Sequence, residues 1–564
     1  MFDLDRKTEN KLTIIAIGLV ALAITFLIIY QNSTHYILGN SYRDVFLYLI
    51  EALRMSGVEI EGYAYVNYLP PFVPFLTSLL FRMGFVSLAS IFITSGVFFF
   101  VGIMGMFYLL RLRFNNFYAF FGAFLYATLF ININWVGNGT LDIGFVALMI
   151  WALYFFIQAM EKNQKYFYLA FPLAVLSFFT KYTGALIVGV MLLYFMSRTN
   201  IATNIKKYYK NIFGGILAGI LTSLPFFAYF FINNIPLGFL NQASEVSSES
   251  SLTTTHAGKL VVNDLFFYIK GIIYDISSTR YIIGIIIFSL FIIGAIFVIC
   301  MFFNTFKKSY SKIKNQDSSI YKWTVPATVM YLLLIISFLM VIVSFFTASM
   351  FSFIYSEMLL FAGMYLLAYS LTKIIINYDE VDNVWLSTYP YLAINIAMTG
   401  LFLSYLIFFT AHLTKADRYF TAMAPGFIFL VVFSVEILFN RFKEIKFRNF
   451  NFRYLIPIII MIVMMVFCVN YIVGVHDNPV AVNEHDASGW LDGKDGIMFS
   501  NRGPVYTWYL QKEVKYARNV GNDTLLSREL HDGNATYYIS TGKVNLTGYR
   551  MVKEFGDVKI YESK

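Results

Sequence analysis

Residues 12–30, LTIIAIGLVALAITFLIIY, form an apolar run of nineteen residues without a charge. A helix of about 20 apolar residues is long enough to cross the ~30 Å hydrocarbon core of a bilayer. Twelve further apolar blocks follow, so the sequence predicts an α-helical polytopic membrane protein with about thirteen transmembrane helices. The predicted spans are residues 12–30, 86–110, 116–132, 141–159, 166–180, 183–197, 211–232, 281–303, 324–347, 351–371, 389–410, 420–438 and 454–474.

The composition of the chain also indicates lipid as its solvent. Of the 564 residues, 58% are hydrophobic and 13% are charged, and a soluble protein of this size could not hide so much apolar surface. The net charge of +9 does not indicate nucleic acid, because most basic residues lie in short loops between apolar blocks. Cys300 and Cys468 both lie inside apolar blocks, so neither a disulfide framework nor a thiolate metal site is supported.

The distribution of basic residues predicts the orientation of the chain. With the N-terminus inside, the inside segments hold 22 Lys and Arg residues, and the outside segments before residue 475 hold nine. This asymmetry is typical of a cytoplasmic N-terminus and an extracytoplasmic C-terminal tail, and we expect a multi-pass protein of the plasma membrane. Arg6, Lys7 and Lys11 precede a full-length apolar run without a cleavage site, which favours a first membrane helix over a signal peptide.

Two domains are expected, a transmembrane module over residues 1–474 and a soluble domain over residues 475–564. In the polar tail, residues 487–491 predict a short helix, and the alternating segments 537–540 and 558–561 predict strands. The tail is therefore expected to be a small extracytoplasmic α/β domain. Five Asn-x-Ser/Thr sequons fall in outside segments, at Asn32, Asn138, Asn522, Asn534 and Asn545.

The sequence lacks the common motifs for nucleotide binding, zinc-dependent hydrolysis and serine hydrolases. It contains no Gly-x-x-x-x-Gly-Lys-Ser/Thr loop, no Gly-x-Gly-x-x-Gly, no His-Glu-x-x-His and no Gly-x-Ser-x-Gly. ATP-driven transport and zinc hydrolysis are therefore disfavoured. Four charged residues remain near the predicted outer ends of the spans: Asp44, Asp142, Lys181 and Arg418. A charged group next to lipid costs free energy, so each of them is a candidate functional residue.

The two carboxylates have simple structural explanations as well as functional ones. Asp44 lies in a polar loop with several tyrosines, where it could act as a general base on a hydroxyl. It could equally be a solvated or helix-capping residue paired with Arg43. Asp142 stands at the outer start of the fourth predicted span, where a carboxylate is favourable in the first helical turn.

The two cations have comparable alternatives. Lys181 lies in a tight outer turn, where it could bind a lipid-linked phosphate or simply extend its ammonium to the interface. Arg418 precedes the twelfth predicted span, and its guanidinium suits phosphate oxygens. The simpler explanation for Arg418 is an ion pair with Asp417, although sequence neighbours rarely face one another.

These residues occur in a fixed order with short motifs. Asp44 is followed by Tyr68 and by Pro70-Pro71-Phe72-Val73-Pro74. Asp142 begins a span, and Lys181-Tyr182-Thr183-Gly184 forms a turn between two spans. Arg418-Tyr419 precedes a late span that contains Pro425.

This combination resembles the GT-C superfamily of polyprenyl-phosphate-sugar-dependent glycosyltransferases. The most similar branch holds protein O-mannosyltransferases and bacterial aminoarabinose transferases, the glycosyltransferase family 39-like proteins, and the resemblance covers most of residues 1–474. The chain departs from this pattern at three points. No second acidic residue follows Asp44, Leu69 stands where the aminoarabinose branch has Lys, and the Trp-Trp-Asp signature of oligosaccharyltransferase catalytic subunits is missing.

The resemblance implies transfer of a sugar, mannose-like in the family, from a polyprenyl (dolichyl) phosphate donor. The acceptor would be a hydroxyl of a lipid, glycan or protein at the outer face, and a single displacement would invert the anomeric centre. Asp44 would be the catalytic base, while Lys181 and Arg418 would bind the donor phosphate. Residues expected to position sugar or acceptor are Asp142, Tyr182, Tyr419 and His412.

No cofactor is predicted. A lone Asp44 without a neighbouring carboxylate is a poor metal site, so a divalent metal is disfavoured. The main alternative function is a polytopic lipid or solute carrier, or a flippase, without catalysis. Carriers usually place charges near the bilayer midplane, whereas the predicted spans are nearly uncharged apart from Glu357 and Glu436. A glycan polymerase or ligase of another superfamily is a second alternative.

Overall fold

The computed structural model describes most of the chain, with gaps. The described residues are 6–38, 43–63, 69–198, 201–240, 253–256, 259–262, 264–315, 327–347, 358–360, 362–364, 366–367, 369–370, 391–411, 415–440, 446–447, 450–517 and 522–564. Tyr68, His412 and Glu357 lie outside them.

Helices make up most of the membrane module. They are α1 (Arg6–Thr34), α2 (Arg43–Ser56), α3 (Phe72–Arg82), α4 (Ala89–Leu110), α5 (Asn116–Thr128), α6 (Phe130–Gly137), α7 (Leu141–Glu161), α8 (Phe167–Thr180), α9 (Ile187–Arg198), α10 (Ile201–Ile232), α11 (Phe267–Ser277), α12 (Tyr281–Asn315), α13 (Ala327–Thr347), α14 (Leu392–Ala411), α15 (Phe420–Asn440) and α16 (Leu455–Val473). Short strand pairs, β1 (Thr253–His256) with β2 (Lys259–Val262) and β3 (Lys446–Phe447) with β4 (Phe450–Asn451), lie in the connections.

The predicted polytopic α-helical class is confirmed. Within the described residues, eight helices are long and apolar enough to cross a membrane, or nine if the bent pair α5–α6 counts as one span. The predicted spans 166–180 and 183–197 correspond to the shorter helices α8 and α9. The predicted span 351–371 lies largely outside the described residues, so the number thirteen stays a prediction, as does the orientation of the chain.

One predicted span, residues 116–132, is broken in the structure. Leu129 has an extended backbone, and α5 and α6 meet there at a bend of 49°. The Asn132 amide donates to the main-chain oxygen of Tyr126 at 2.8 Å, which satisfies a carbonyl near the break. A continuous apolar run does not reveal such a break. As a result α6 carries Trp135 towards the candidate site described below.

The segment 31–85, which lies between the first two predicted spans, contains two helices. Asp44 lies in the first turn of α2, and α3 begins directly after Pro71. The buried Glu51 and Arg54 side chains form an ion pair in α2, and both bond to the hydroxyl of Tyr229 in α10. This polar contact attaches α2, and with it Asp44, to the membrane bundle.

Residues 475–564 form the predicted small α/β domain. Its helices are α17 (Pro479–Leu491), α18 (Gly503–Leu510) and α19 (Asp523–Asp532), and its strands are β5 (Met498–Ser500), β6 (Val514–Tyr516), β7 (Tyr537–Thr541), β8 (Tyr549–Phe555) and β9 (Val558–Ser563). The five strands have the order β6-β5-β7-β9-β8. β5 is parallel to β6 and β7, and the β7–β9 and β9–β8 pairs are antiparallel. The predicted helix and both predicted strands are present, in α17, β7 and β9.

The C-terminal domain packs on α2 and α3 through aromatic side chains of α18. Trp508 stacks on Phe81 with ring centroids 5.8 Å apart, and Tyr509 contacts Phe46 at 6.0 Å. The chain that follows α1 is also attached to this domain, because the backbone N–H of Tyr36 donates to the Asp477 carboxylate at 2.7 Å. The domain therefore holds α2, which carries Asp44 in its first turn.

The five sequons fall into two groups. Asn32 and Asn138 are only 4% and 9% exposed, so neither is accessible for glycosylation in the folded protein. Asn522, Asn534 and Asn545 are exposed in the C-terminal domain. Only the sequons of the C-terminal domain are thus accessible at the surface of the folded protein.

Candidate active site

The carboxylate of Asp44 and the guanidinium of Arg418 lie close together. Arg418 is presented by a short 3₁₀ turn, Asp417–Tyr419, that leads into α15. Its Nη2 is 3.6 Å from Asp44 Oδ2, although 374 residues separate the two positions. Asp44 is 41% exposed and Arg418 is 22% exposed, so the carboxylate can be reached from solvent while the cation is mostly buried.

Asp417 has a different role from the ion pair considered for it. Its carboxylate accepts a hydrogen bond from the backbone N–H of Arg418 at 2.8 Å. The Asp417 carboxylate thus bonds to the backbone of the 3₁₀ turn, while the Arg418 guanidinium pairs with Asp44. The Arg418 Nε–H is buried and has no hydrogen-bond partner within the described part of the chain. The guanidinium therefore keeps a donor that an additional anion could use.

The second pair joins Lys181 to Asp142. Lys181 Nζ is 2.5 Å from Asp142 Oδ1, and Asp142, in the first turn of α7, is 3% exposed. The Lys181 ammonium also lies 4.4 Å from the centre of the Tyr419 ring. Phe409 stacks on Tyr419 with ring centroids 4.4 Å apart, and the ammonium lies 5.8 Å from the centre of the Phe409 ring. Aromatic faces and one carboxylate thus stabilise a largely buried ammonium.

The two pairs form one row of alternating charges. Nearby negative charges stabilise the positive charge of the Arg418 guanidinium. Asp142 has the largest effect among them, and Asp44 also contributes. The row therefore runs from Asp44 through Arg418 and Asp142 to Lys181. All four residues singled out from the sequence are brought together, with Tyr419 beside both cations.

A cavity of about 740 Å³ opens beside this row. Asp44 and Arg418 line it, whereas Lys181 and Asp142 lie behind them and do not. The other lining residues come from α6, from α11 and the chain before it, and from the turn before α15: Trp135, Asp264, Phe267, Lys270, Gly271, Tyr274, Asp275, Lys415, Ala416 and Asp417. We call this the charged cavity.

Two cations of the charged cavity are already engaged. Lys415 Nζ donates to the main-chain oxygens of Phe409 and Thr410, at 2.9 and 2.6 Å, at the C-terminal end of α14. Lys270 pairs with Asp264 at 2.9 Å. Arg418 is consequently the lining cation best placed to bind an incoming anion.

Asp275 is a carboxyl group of the charged cavity that sequence reasoning missed. It is 3% exposed, and burial, followed by the negative charge of Asp417, raises its pKa to about 8. Asp275 is therefore protonated at neutral pH and can donate a hydrogen bond to a ligand oxygen. Its position in a long connecting segment gave no signal of this role, since the burial comes from α11 packing against the bundle.

The raised pKa predicts how Asp275 affects stability. The folded protein retains a proton that the unfolded chain releases near pH 4, so stability falls as pH rises from about 4 to about 8 and this effect then levels off. Asp275→Asn stays neutral, and its melting temperature should fall less than that of the wild type between pH 5 and 8.5. Each kcal/mol involved corresponds to about 2–4 °C. Parallel pH dependences in scanning fluorimetry would contradict the assignment.

The remaining predicted site residues are placed differently. Tyr182 follows Lys181 directly, but its ring packs on Phe178 and Phe239, at 5.2 and 5.9 Å, and it has no recorded contact with the charge row. His412 lies outside the described residues. Trp135, whose ring lies 5.9 Å from the Arg418 guanidinium, was not singled out from the sequence.

Metal ligands are not grouped at this site. Within the described ranges, no three His, Cys, Asp or Glu side chains are arranged to hold a metal ion. The expectation that no metal takes part stays a prediction.

The chain is similar in sequence and in fold to known membrane proteins. Residues 69–229 match the family model of dolichyl-phosphate-mannose-protein mannosyltransferases, a range that includes Asp142 and Lys181. The apo oligosaccharyltransferase of Archaeoglobus fulgidus superposes with a TM-score of 0.50 at 13% identity, over 94% of this chain and 69% of that one. The chain has a GT-C fold. The resemblance inferred from its motifs is thereby confirmed.

A second solved structure also matches over nearly the whole chain. ArnT from Cupriavidus metallidurans, bound to undecaprenyl phosphate, matches with a TM-score of 0.49 at 12% identity over 97% of both chains. No curated protein matches by sequence. The family match and the GT-C fold together support a membrane glycosyltransferase.

Proposed function

We propose that this GT-C protein transfers a sugar from a polyprenyl phosphate to an acceptor hydroxyl, with inversion at the anomeric carbon. The observation that carries the proposal is the charge row, in which an accessible carboxylate and a buried cation meet at the edge of one cavity. The family match over residues 69–229 supports a lipid-phosphate-linked donor of the dolichyl-phosphate-mannose type. The charged end of the bundle is proposed to face the extracytoplasmic side, with the C-terminal domain.

Asp44 is the residue best placed to act as general base. It is the member of the row that is both exposed and at the cavity, so an acceptor hydroxyl can approach it. As the hydroxyl oxygen attacks the anomeric carbon, its proton passes to the Asp44 carboxylate and the bond to the phosphate oxygen breaks. One displacement by one nucleophile inverts the configuration.

Arg418 is proposed to stabilise the departing lipid phosphate. The leaving group is an acidic phosphate, which needs compensation of its negative charge more than a proton. Arg418 retains a free Nε–H donor within the described structure and lies at the cavity wall. Charge-assisted hydrogen bonds from a preorganised guanidinium are of the kind that lowers such barriers.

Lys181 is proposed to act on the phosphate from behind Arg418, and Asp142 to hold Lys181 in place. Because Asp142 pairs with Lys181 and attracts Arg418, it fixes both cations. Tyr419, between the two cations, is the aromatic residue proposed to position the sugar. Roles for Tyr182 and His412 in positioning sugar or acceptor remain predictions.

The test of the proposed function is transfer by the purified full-length protein in liposomes. Polyprenyl-phosphate sugars with a radiolabelled sugar are supplied with a membrane extract as acceptor, and the product is isolated and its anomeric configuration determined by NMR. We expect label in the acceptor fraction with inverted configuration. Retention of configuration would refute the single displacement. Movement of lipid or solute across the liposome without any transfer would favour a carrier.

A further inference from the structure

A second cavity, of about 560 Å³, lies where α1, α6 and α16 end beside the start of α17. Its polar walls consist mainly of side-chain amides, which belong to Asn32, Asn134, Asn138, Asn470 and Asn478. No Asp, Glu, Lys or Arg is among its described lining residues, and His476 is its one ionisable side chain besides Tyr471. We call this the amide cavity.

Asn32 is the residue of the amide cavity that most needs explanation. Its side chain is 4% exposed and lines the amide cavity. It lies directly over Gly137, so closely that a Cβ at position 137 would collide with Asn32 Nδ2. An amide at a cavity wall offers a ligand both N–H donors and a carbonyl acceptor.

Asn134 and Asn138 add further donor and acceptor capacity. Asn134 Oδ1 accepts from the Tyr471 hydroxyl at 2.9 Å, while its Nδ2 donates to no described residue. Asn138 Nδ2 donates to the main-chain oxygen of Asn134 at 2.7 Å, which leaves its Oδ1 as an acceptor. The wall thus offers both donors and acceptors, and a hydroxyl group can satisfy either kind.

The remaining wall limits the ligand to a neutral one. Ile28, Ile133 and Ile472 supply apolar surface, and no Lys or Arg would compensate a phosphate or carboxylate. Burying an anion without a counter-charge is costly. A ligand with apolar carbon–hydrogen faces and several hydroxyls, as in a sugar or polyol, matches these walls. The volume suits a small ligand.

The amide cavity and the charged cavity share α6. Asn134 lines the first and the adjacent Trp135 lines the second. One short helix thus separates a neutral, hydrogen-bonding cavity from a charged one. A transferase with a phosphate-linked donor must bind a charged phosphate and neutral, hydroxylated groups. The charged cavity suits the first and the amide cavity suits the second.

We infer that the amide cavity binds the neutral, hydroxyl-rich part of the acceptor, a sugar or polyol. The assignment of this ligand as the acceptor rests on the proposed function. The binding of a neutral, hydroxylated group follows from the residues of the cavity alone. The same chemistry could come from the sugar of the donor, and the experiment below separates the two sources.

The test is a binding experiment on the full-length protein in an amine-oxide detergent, which carries no sugar. Heptyl β-D-glucopyranoside below its micelle concentration is the neutral probe, and saturation-transfer NMR on its ring protons gives the dissociation constant. Asn32→Leu and Asn134→Leu remove the amides at similar volume. Asn211→Leu, a substitution of the same kind in a residue that lines neither cavity, is the matched control.

We expect saturable binding of the glucoside to the wild type and to Asn211→Leu. Each lost hydrogen bond is worth about 1–1.5 kcal/mol, so Asn32→Leu and Asn134→Leu should weaken binding about tenfold. Binding of the sugar-free farnesyl phosphate should be unchanged in all variants, which also shows that they are folded. Equal glucoside binding in wild type and both variants would overturn the inference.

The source of the sugar follows from a comparison of two prenyl ligands. If the amide cavity holds the acceptor, farnesyl phosphate and farnesyl-phosphate mannose keep their relative affinities in Asn32→Leu and Asn134→Leu. A selective loss of affinity for the mannosylated ligand would overturn the acceptor assignment and assign the cavity to the donor. Because no step requires turnover, failure of the proposed transfer activity and failure of this inference give different results.

Discussion

Asp44→Asn should reduce sugar transfer by about 10²–10⁴-fold, the usual contribution of a positioned general base. The amide has the same shape as the carboxylate but cannot accept the hydroxyl proton. Arg418 loses a counter-charge 3.6 Å away, so the affinity for a phosphate ligand should stay equal or increase. The expected signature is a large fall in kcat without a rise in the KM for donor, measured with radiolabelled polyprenyl-phosphate sugar.

A matched control for this variant lies in the same cavity. Asp264 is also a lining carboxylate, but it pairs with Lys270 and is not part of the charge row. Asp264→Asn should keep transfer within about twofold of the wild type, since exposed ion pairs contribute little. If Asp44→Asn retains most of the activity, or if Asp264→Asn loses as much, Asp44 is not the base.

Lys181→Met should destabilise the protein as well as impair transfer. The substitution leaves Asp142, which is 3% exposed, without its ion-pair partner. Removing one member of a buried pair costs about 3–5 kcal/mol, and Arg418 as a second neighbouring cation should reduce the cost to about 2–3 kcal/mol. The measurement is the shift of the thermal unfolding midpoint of the purified protein.

The double variant separates structure from chemistry at Lys181. Asp142→Asn in the Lys181→Met background removes the uncompensated charge, so most of the stability should return. Transfer should stay low if the Lys181 charge acts on the phosphate. Recovery of both stability and activity would show that Lys181 and Asp142 serve only to hold the fold together.

The fold class could be predicted because lipid imposes a simple requirement on sequence. Each helix that crosses the bilayer must be apolar along its length, so spans such as residues 12–30 and 281–303 are visible as uninterrupted runs. The break at Leu129 was missed because the residues on both sides are equally apolar. α2 and α3 were missed because helices at the surface of a bundle need no continuous apolar run.

The site was predicted in its residues more than in its contacts. Lys181, Asp142 and Arg418 stand out because charge next to apolar runs is rare. That Arg418 approaches Asp44 depends on tertiary packing between parts of the chain that are 374 residues apart. Asp275 and the amides of the second cavity gave no signal, since burial alone distinguishes them from other polar residues.

The contacts between α18 and α2 can form only after α18 has been synthesised, long after α2. Asp44 leaves the ribosome early, but the side chains that clamp its helix, Trp508 and Tyr509, are made more than 450 residues later. The helices of the membrane module can insert one after another while this clamp is still missing. A chain truncated before residue 475 would hold every proposed reacting group and lack the side chains that contact α2 and α3. We therefore expect the proposed site to become competent only after residues 508 and 509 have been made and have folded against α2 and α3.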